Sequence, residues 1–159
     1  MDSEKEFLSS YNKNEYEKPS VAVDLLVFTV KDDRLKIVLV RRSEHPFKDM
    51  LSLPGVFVGI NETLDEAAAR GAREEAGLAD IYFEQLYTWG DIDRDPRMRI
   101  ISVSYLSLTP AEKLTLSAGS RTSSAELYDV EELLSSDEEL AFDHRRIIEY
   151  GRDRIRNKT

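Results

Sequence analysis

The sequence has 159 residues, 41% of them hydrophobic and 33% charged, enough chain for one domain with a proper core. The absence of Cys excludes disulfides, thiolate metal sites and a cysteine nucleophile. A net charge of −9 argues against nucleic acid as a main partner, because phosphate backbones are bound mostly through Lys and Arg. No apolar run approaches the roughly 18–20 residues that span a bilayer, and the start, MDSEKEFLSS, is unlike a signal peptide. No membrane partner and a cytoplasmic location are therefore the default expectation.

Residues 1–18 lack periodicity and read as an N-terminal arm or tail, leaving 19–159 as a single domain. Val21 to Val30 is an apolar, β-branched run that predicts a buried strand. Lys31 to Arg34 reads as a turn and Leu35 to Val40 as a second strand, making a hairpin. A polar loop covers Ser43 to Met50, and a short strand follows around Val56–Val58. Beyond a helix at Thr63 to Ala76, strands are expected at Ile81 to Trp89 and Ile100 to Leu108, joined by the loop of residues 90–99. Residues 110–123 are a Ser-, Thr- and Gly-rich loop. Glu126 to Val130 is a strand, Glu131 to Leu134 a short helix, and Ala141 to Arg156 a final helix with Phe142, Ile147, Ile148 and Ile155 as its apolar positions. Helices interleaved with hairpins predict an α/β fold with a mixed sheet between helices.

The stretch Leu53 to Leu78, LPGVFVGINETLDEAAARGAREEAGL, carries the chemistry. Thr63 can cap the helix with Glu66 three positions on, and Gly77 is a natural terminator. Leu64, Ala68, Ala72 and Ala76 form a small apolar stripe suited to a sheet. Arg70, Gly71, Glu74 and Glu75 gather on a neighbouring face. The plain alternative is a surface helix laced with pairs such as Glu66–Arg70. Against it stand the alanine stripe, Gly77-Leu78 and the strand-like VFVGI before it.

This stretch resembles the Nudix box, G-x5-E-x7-R-E-U-x-E-E-x-G-U, with U aliphatic. Glu62, Arg70, Glu74, Glu75, Gly77 and Leu78 match it, and Ala72 fills the aliphatic slot. Val56 stands in place of the first Gly, and Gly71 in place of the Glu after Arg. The resemblance runs over about 21–156. Its WGDIDRDPRMRIISVSYLSL and LAFDH segments are similar to the ADP-ribose pyrophosphatase-like proteins and Nudix-related transcriptional regulators of NAD metabolism. It implies a Nudix α/β/α sandwich, Mg²⁺ (or Mn²⁺) held by box carboxylates, and homodimers, with the 1–18 arm able to cross between subunits. The regulators continue from LAFDH into a winged-helix DNA-binding domain. This sequence stops at Thr159, so the expectation is either a protein that stands alone or an isolated ligand domain, and the acidic balance favours the first.

On that resemblance, Glu74 and Glu75 are the remaining metal-holding and catalytic carboxylates. Glu62 and Arg70 pair to hold loop to helix. Asp91, Asp93 and Asp95 are the loop carboxylates nearest in type to the missing Glu, and the loop around Ala118 to Arg121 lacks the acidic residues that many relatives carry. Arg41 and Arg42, at a strand end, could contact phosphate or face solvent. Arg94 and Arg97 could clamp a pyrophosphate, since guanidinium fits phosphate bidentately; with Arg99 and three aspartates they could equally form a self-satisfied turn. Trp89 could stack on a base or pack in the core. His45 and His144 read as a loop and a helix-cap residue. Gly71→Glu, if position 71 faces the cleft, should keep or raise helix stability and restore the third carboxylate. The leading expectation is metal-assisted hydrolysis of nucleoside diphosphate-X compounds, best ADP-ribose to AMP and ribose 5-phosphate. Its rival is a non-catalytic ADP-ribose sensor, favoured by Gly71 and the neutral later loop.

Overall fold

The computed structural model describes residues 3–157. The alternation of Val21 to Val30 does what a strand buried on both faces must do. In β1 (Ser20–Lys31), Val23, Leu25 and Val27 point to one face of the sheet and Leu26 and Phe28 to the other. β1 turns through Asp32 and Asp33, both left-handed (φ 56° and 62°), into β2 (Arg34–Arg42). β3 (Leu51–Ser52) and β4 (Gly55–Phe57) follow, then β5 (Glu84–Trp89), β6 (Ile100–Leu108) and β7 (Thr122–Asp129). The sheet order is β3-β2-β1-β6-β5, with β4 paired to β1 and β7 to β2. β1 and β6 run parallel and the other pairs antiparallel, so the sheet is mixed as expected.

The N-terminal arm carries an exposed helix, α1 (Ser3–Ser10), where sequence periodicity predicted none. α2 (Leu64–Ala76) covers one face of the sheet, packing Ala67, Ala68, Ala72 and Ala76 on Val23, Leu25 and Val38. Its start is the expected capping box: Thr63 accepts from the Glu66 amide, and Glu66 accepts from the Thr63 amide. Gly77 ends it in the left-handed conformation (φ 71°). α3 (Val130–Ser135) and α4 (His144–Asn157) cover the other face, against Leu26, Phe28, Ile37 and Leu39. The result is the α/β/α layering expected.

Several boundaries move. β5 starts at Glu84 instead of Ile81, β7 starts at Thr122 instead of Glu126, and the two-residue β3 carried no sequence signal of its own. The last helix begins at His144, so Phe142 is not one of its apolar positions. Phe142 sits before it with φ 54°, its ring turned onto Phe47 and His144. That turn places an aromatic ring in the cleft described next.

Candidate functional site: an arginine-lined cleft beside the capped helix

A cleft opens where the ends of β1, β2 and β4, the C-terminal end of α2 and the residues before α4 meet. Its walls include Arg42, Phe57, Glu75, Arg97, Arg121 and Phe142, and Asp24, Arg94 and His144 form its floor. Arg42 closes onto the Pro46 carbonyl (2.7 Å) and lies 5.0 Å from the Phe142 ring centre. Arg97 lies 5.2 Å from Phe57 and 5.8 Å from the same Phe142 ring. Burial first, and then the positive charge of Arg97, push the Arg42 guanidinium below its ordinary value. Two guanidinium groups brought to one aromatic ring make a site suited to an anion.

The floor is a buried polar network. Asp24, in the middle of an apolar strand, accepts from the Ser102 hydroxyl and lies 3.5 Å from His144 Nε2. The Leu53 amide donates to His144 Nδ1 (3.0 Å), which leaves the ring hydrogen on Nε2, facing Asp24. Burial alone would raise the Asp24 carboxyl; His144, Ser102 and the Arg94 charge outweigh it and hold it below the ordinary carboxylate value. Arg94 makes a bidentate pair with Asp143 (3.0 and 2.6 Å) and approaches Asp24 at 3.7 Å. Asp24, Phe142, Asp143 and His144 were not singled out for this role by sequence reasoning. A lone carboxylate in an apolar strand was the available signal.

The sequence-predicted residues separate into those the cleft gathers and those it does not. Arg42, Glu75, Arg94 and Arg97 line it. Arg94 is fully engaged in the floor, however, and Arg97 shares its guanidinium with Asp95 (2.9 and 3.1 Å), which is the self-satisfied turn. Arg41 faces away and donates to the Asp49 carbonyl. Trp89 is core: it is buried, donates to Ser104 Oγ (3.0 Å) and packs edge-on to Tyr87 and Tyr150. Glu74 lies outside the cleft, paired with Arg70 at 3.1 Å. Asp91 pairs with Arg146, and His45 is exposed in its loop.

Glu62 and Arg70 form the expected clasp, with Arg70 bonds of 2.7 and 2.9 Å to the carboxylate and a third to the Phe57 carbonyl. The Gly59 amide also donates to Glu62. The Arg70 bonds, then the Gly59 amide, lower the Glu62 carboxyl from 4.5 to about 2. Its folded-state value is depressed, so its stabilisation is full above its unfolded value near 4.5 and is lost as pH falls toward about 2. Over that window Glu62→Gln should lose less stability than the unsubstituted protein, as urea unfolding at stepped pH will measure.

Gly71 does not face the cleft. A Cβ there would lie 3.1 Å from Val56 Cγ2 and 3.4 Å from Leu25 Cδ1, so position 71 belongs to the face packed on the sheet. The two departures from the box are thus in contact: the Val56 side chain fills the space that a longer side chain at 71 would need. Of the box carboxylates only Glu75 reaches the cleft, and burial pushes its carboxyl up against the opposing pull of the Gly55 amide, Arg121 and Arg42. Among the described residues no three acidic or His side chains come together as metal ligands. The cleft thus offers an ion one box carboxylate, Glu75; Mg²⁺ is commonly held by one or two carboxylates together with waters and substrate phosphates. Glu74 and Glu75, expected to act together, point apart: Glu74 pairs with Arg70 and Glu75 lines the cleft.

The α/β/α fold places this guanidinium-lined cleft at the end of a capped helix. The chain belongs to the NUDIX family: the model of the NUDIX domain matches residues 18–151. It is 33% identical over 159 residues to the ADPR responsive transcriptional repressor NtrR of Acinetobacter baylyi, covering 99% of this chain and 62% of the repressor. It is 40% identical over 134 residues to the ADP-ribose pyrophosphatase of Methanocaldococcus jannaschii, covering 84% of this chain and 73% of that enzyme. The structure resembles the NUDIX domain of Shewanella oneidensis NrtR complexed with ADP ribose, with a TM-score of 0.88 and 31% identity over 97% of this chain and 99% of that one. The same Shewanella protein is known with a 27mer DNA; there the TM-score is 0.73 at 32% identity, over 87% of this chain and 63% of that one. A relative on DNA stands against the charge-based expectation that nucleic acid is no partner. No described helix is long and apolar enough to cross a membrane.

Proposed function

We propose that this chain binds ADP-ribose, or another nucleoside diphosphate carrying a second group, in the arginine-lined cleft and serves as a nucleotide sensor. The observation that carries the reading is the pair Arg42 and Arg97 on one Phe142 ring, next to a helix that brings a single box carboxylate, Glu75, into the cleft. Two guanidinium forks can grip a diphosphate bidentately, and the rings of Phe57 and Phe142 offer apolar area to the flanking sugar or base. The likeness to a NUDIX domain complexed with ADP ribose supports that ligand class.

Arg97→Ala should weaken ADP-ribose binding by about 1.5–3 kcal/mol, the scale of a hydrogen bond to a charged group. It should also flatten the salt dependence of the affinity. Calorimetric titration of both proteins at two ionic strengths measures this, and equal affinities would return Arg97 to a purely structural turn.

Hydrolysis to AMP and ribose 5-phosphate is the second reading, favoured by the 40% identity to a pyrophosphatase. Glu75 is then the candidate base, being the box carboxylate that the cleft contains and one whose proton affinity burial raises. Product analysis after incubation with ADP-ribose and Mg²⁺ separates the two readings. Saturable binding without AMP supports the sensor; turnover that falls about a hundredfold in Glu75→Gln supports the enzyme.

A further inference from the structure

The loop before β7 is locked onto the C-terminal end of α2. The Ser117 amide donates to the Ala76 carbonyl (3.0 Å). The Gly119 amide donates to Thr122 Oγ1 (2.8 Å), and that hydroxyl donates to the Glu75 carbonyl (3.2 Å). Gly119 approaches so closely that a Cβ there would fall into the Glu74 carbonyl. These contacts hold the loop on the helix end, and residue 121, one position before the anchoring Thr122, reaches the cleft wall that Glu75 also lines.

That residue is Arg121. Among the described residues neither Arg121 nor Arg42 has an ion pair to a carboxylate within 4.0 Å, whereas Arg94 is saturated by Asp143 and Asp24, and Arg97 is shared with Asp95. The cleft thus holds two guanidinium groups without a carboxylate partner, both near enough to act on Glu75. A divalent cation at this place would do two things: oppose the Glu75 carboxylate and offset the ligand's phosphate charge. Arg121 is placed for both. Its charge already pulls on Glu75, and its planar fork matches a phosphate as an ammonium cannot.

We propose that the cleft takes its diphosphate without a divalent cation, Arg121 supplying beside Glu75 the positive charge that a metal ion would bring. This rests on the nucleotide-binding reading above and goes beyond it, because ADP-ribose could also bind through a metal ion. Val56 and Gly71 fit the same picture: the volume a third carboxylate would occupy is filled by a methyl group. Arg121 side chains can be changed without touching the lock, since the residue is exposed and the loop is held by backbone groups and Thr122.

The test is calorimetric titration of ADP-ribose into the full chain, once in excess Mg²⁺ and once in excess EDTA. The expected affinities agree within about twofold. Arg121→Ala should lower the affinity about tenfold or more in both buffers, and Arg121→Lys should recover part of it, the charge being kept and the fork lost. Thermal melting checks that each variant is folded. Binding that requires Mg²⁺ would overturn the metal-free site and leave the nucleotide reading standing. Absence of binding in both buffers would remove the nucleotide reading, and this inference with it. Unchanged affinity in a folded Arg121→Ala protein would overturn the role of Arg121.

Discussion

Gly71→Glu is expected to destabilise the protein by about 3 kcal/mol or more, although Glu is the better helix former. The helix gains from losing a Gly, roughly 0.8–1 kcal/mol against Ala. That gain is outweighed where the new side chain must go. Its Cβ would meet Val56 at 3.1 Å and Leu25 at 3.4 Å, and its carboxylate would start from an apolar wall. The expectation of equal or higher stability held for a position 71 that faces the cleft, and this orientation does not meet that condition. Val56→Gly clears the obstruction, so the double variant should lose less than the sum of the two single changes. A coupling of about 1–3 kcal/mol between positions 56 and 71 is the expected result of the double-mutant cycle in urea. Additive losses would mean that the contact does not link them.

Asp143→Ala should cost about 3–5 kcal/mol, the range for leaving one member of a buried ion pair behind. Arg94 is 4% exposed, and it would keep no hydrogen-bonded carboxylate, just the 3.7 Å approach to Asp24 and the more distant charge of Asp95. The same change withdraws a charge that sits beside the cleft floor, leaving Arg94 to share Asp24 with Ser102 and His144. Replacing both partners, Arg94→Met with Asp143→Leu, should lose less than Asp143→Ala by itself, because no uncompensated charge remains in the interior. Chemical denaturation of the three variants decides it. A loss below about 1 kcal/mol for Asp143→Ala would show that water reaches Arg94 and replaces the carboxylate.

What the sequence makes legible is local and periodic. Thr63, Glu66 and Gly77 announce the limits of α2 because capping chemistry depends on residues a few positions apart. Val21 to Val30 and Ile100 to Leu108 announce buried strands because their composition suits little else. The site is less legible, because it is assembled by contacts distant along the chain. Val56 and Gly71 read as two separate departures from a motif until the structure places one against the other. Phe142 has the spacing of a helix residue, and only its left-handed backbone turns its ring into the cleft. Arg121 lies in a Ser- and Gly-rich loop with no local cue. Its place follows from Gly119 and Thr122 gripping the end of α2. Glu74 and Glu75 are neighbours in sequence, yet the helix sends one outward to Arg70 and the other into the cleft.

The parallel pairing of β1 with β6 sets an order on biosynthesis. Residues Ser20 to Phe28 find their β6 partners at Ile100 to Leu108, so a nascent chain that has emerged only as far as α2 holds a complete β1–β2–β4 unit with one long edge of β1 bare. That edge belongs to VAVDLLVFTV, an apolar run of the kind that pairs readily with other chains. Asp24 is its single charge, placed where β4 already covers the strand from one side. Translation must add residues 77–99 before β6 can cap the edge, which makes this interval a stage at which a slowed ribosome would expose the protein to aggregation.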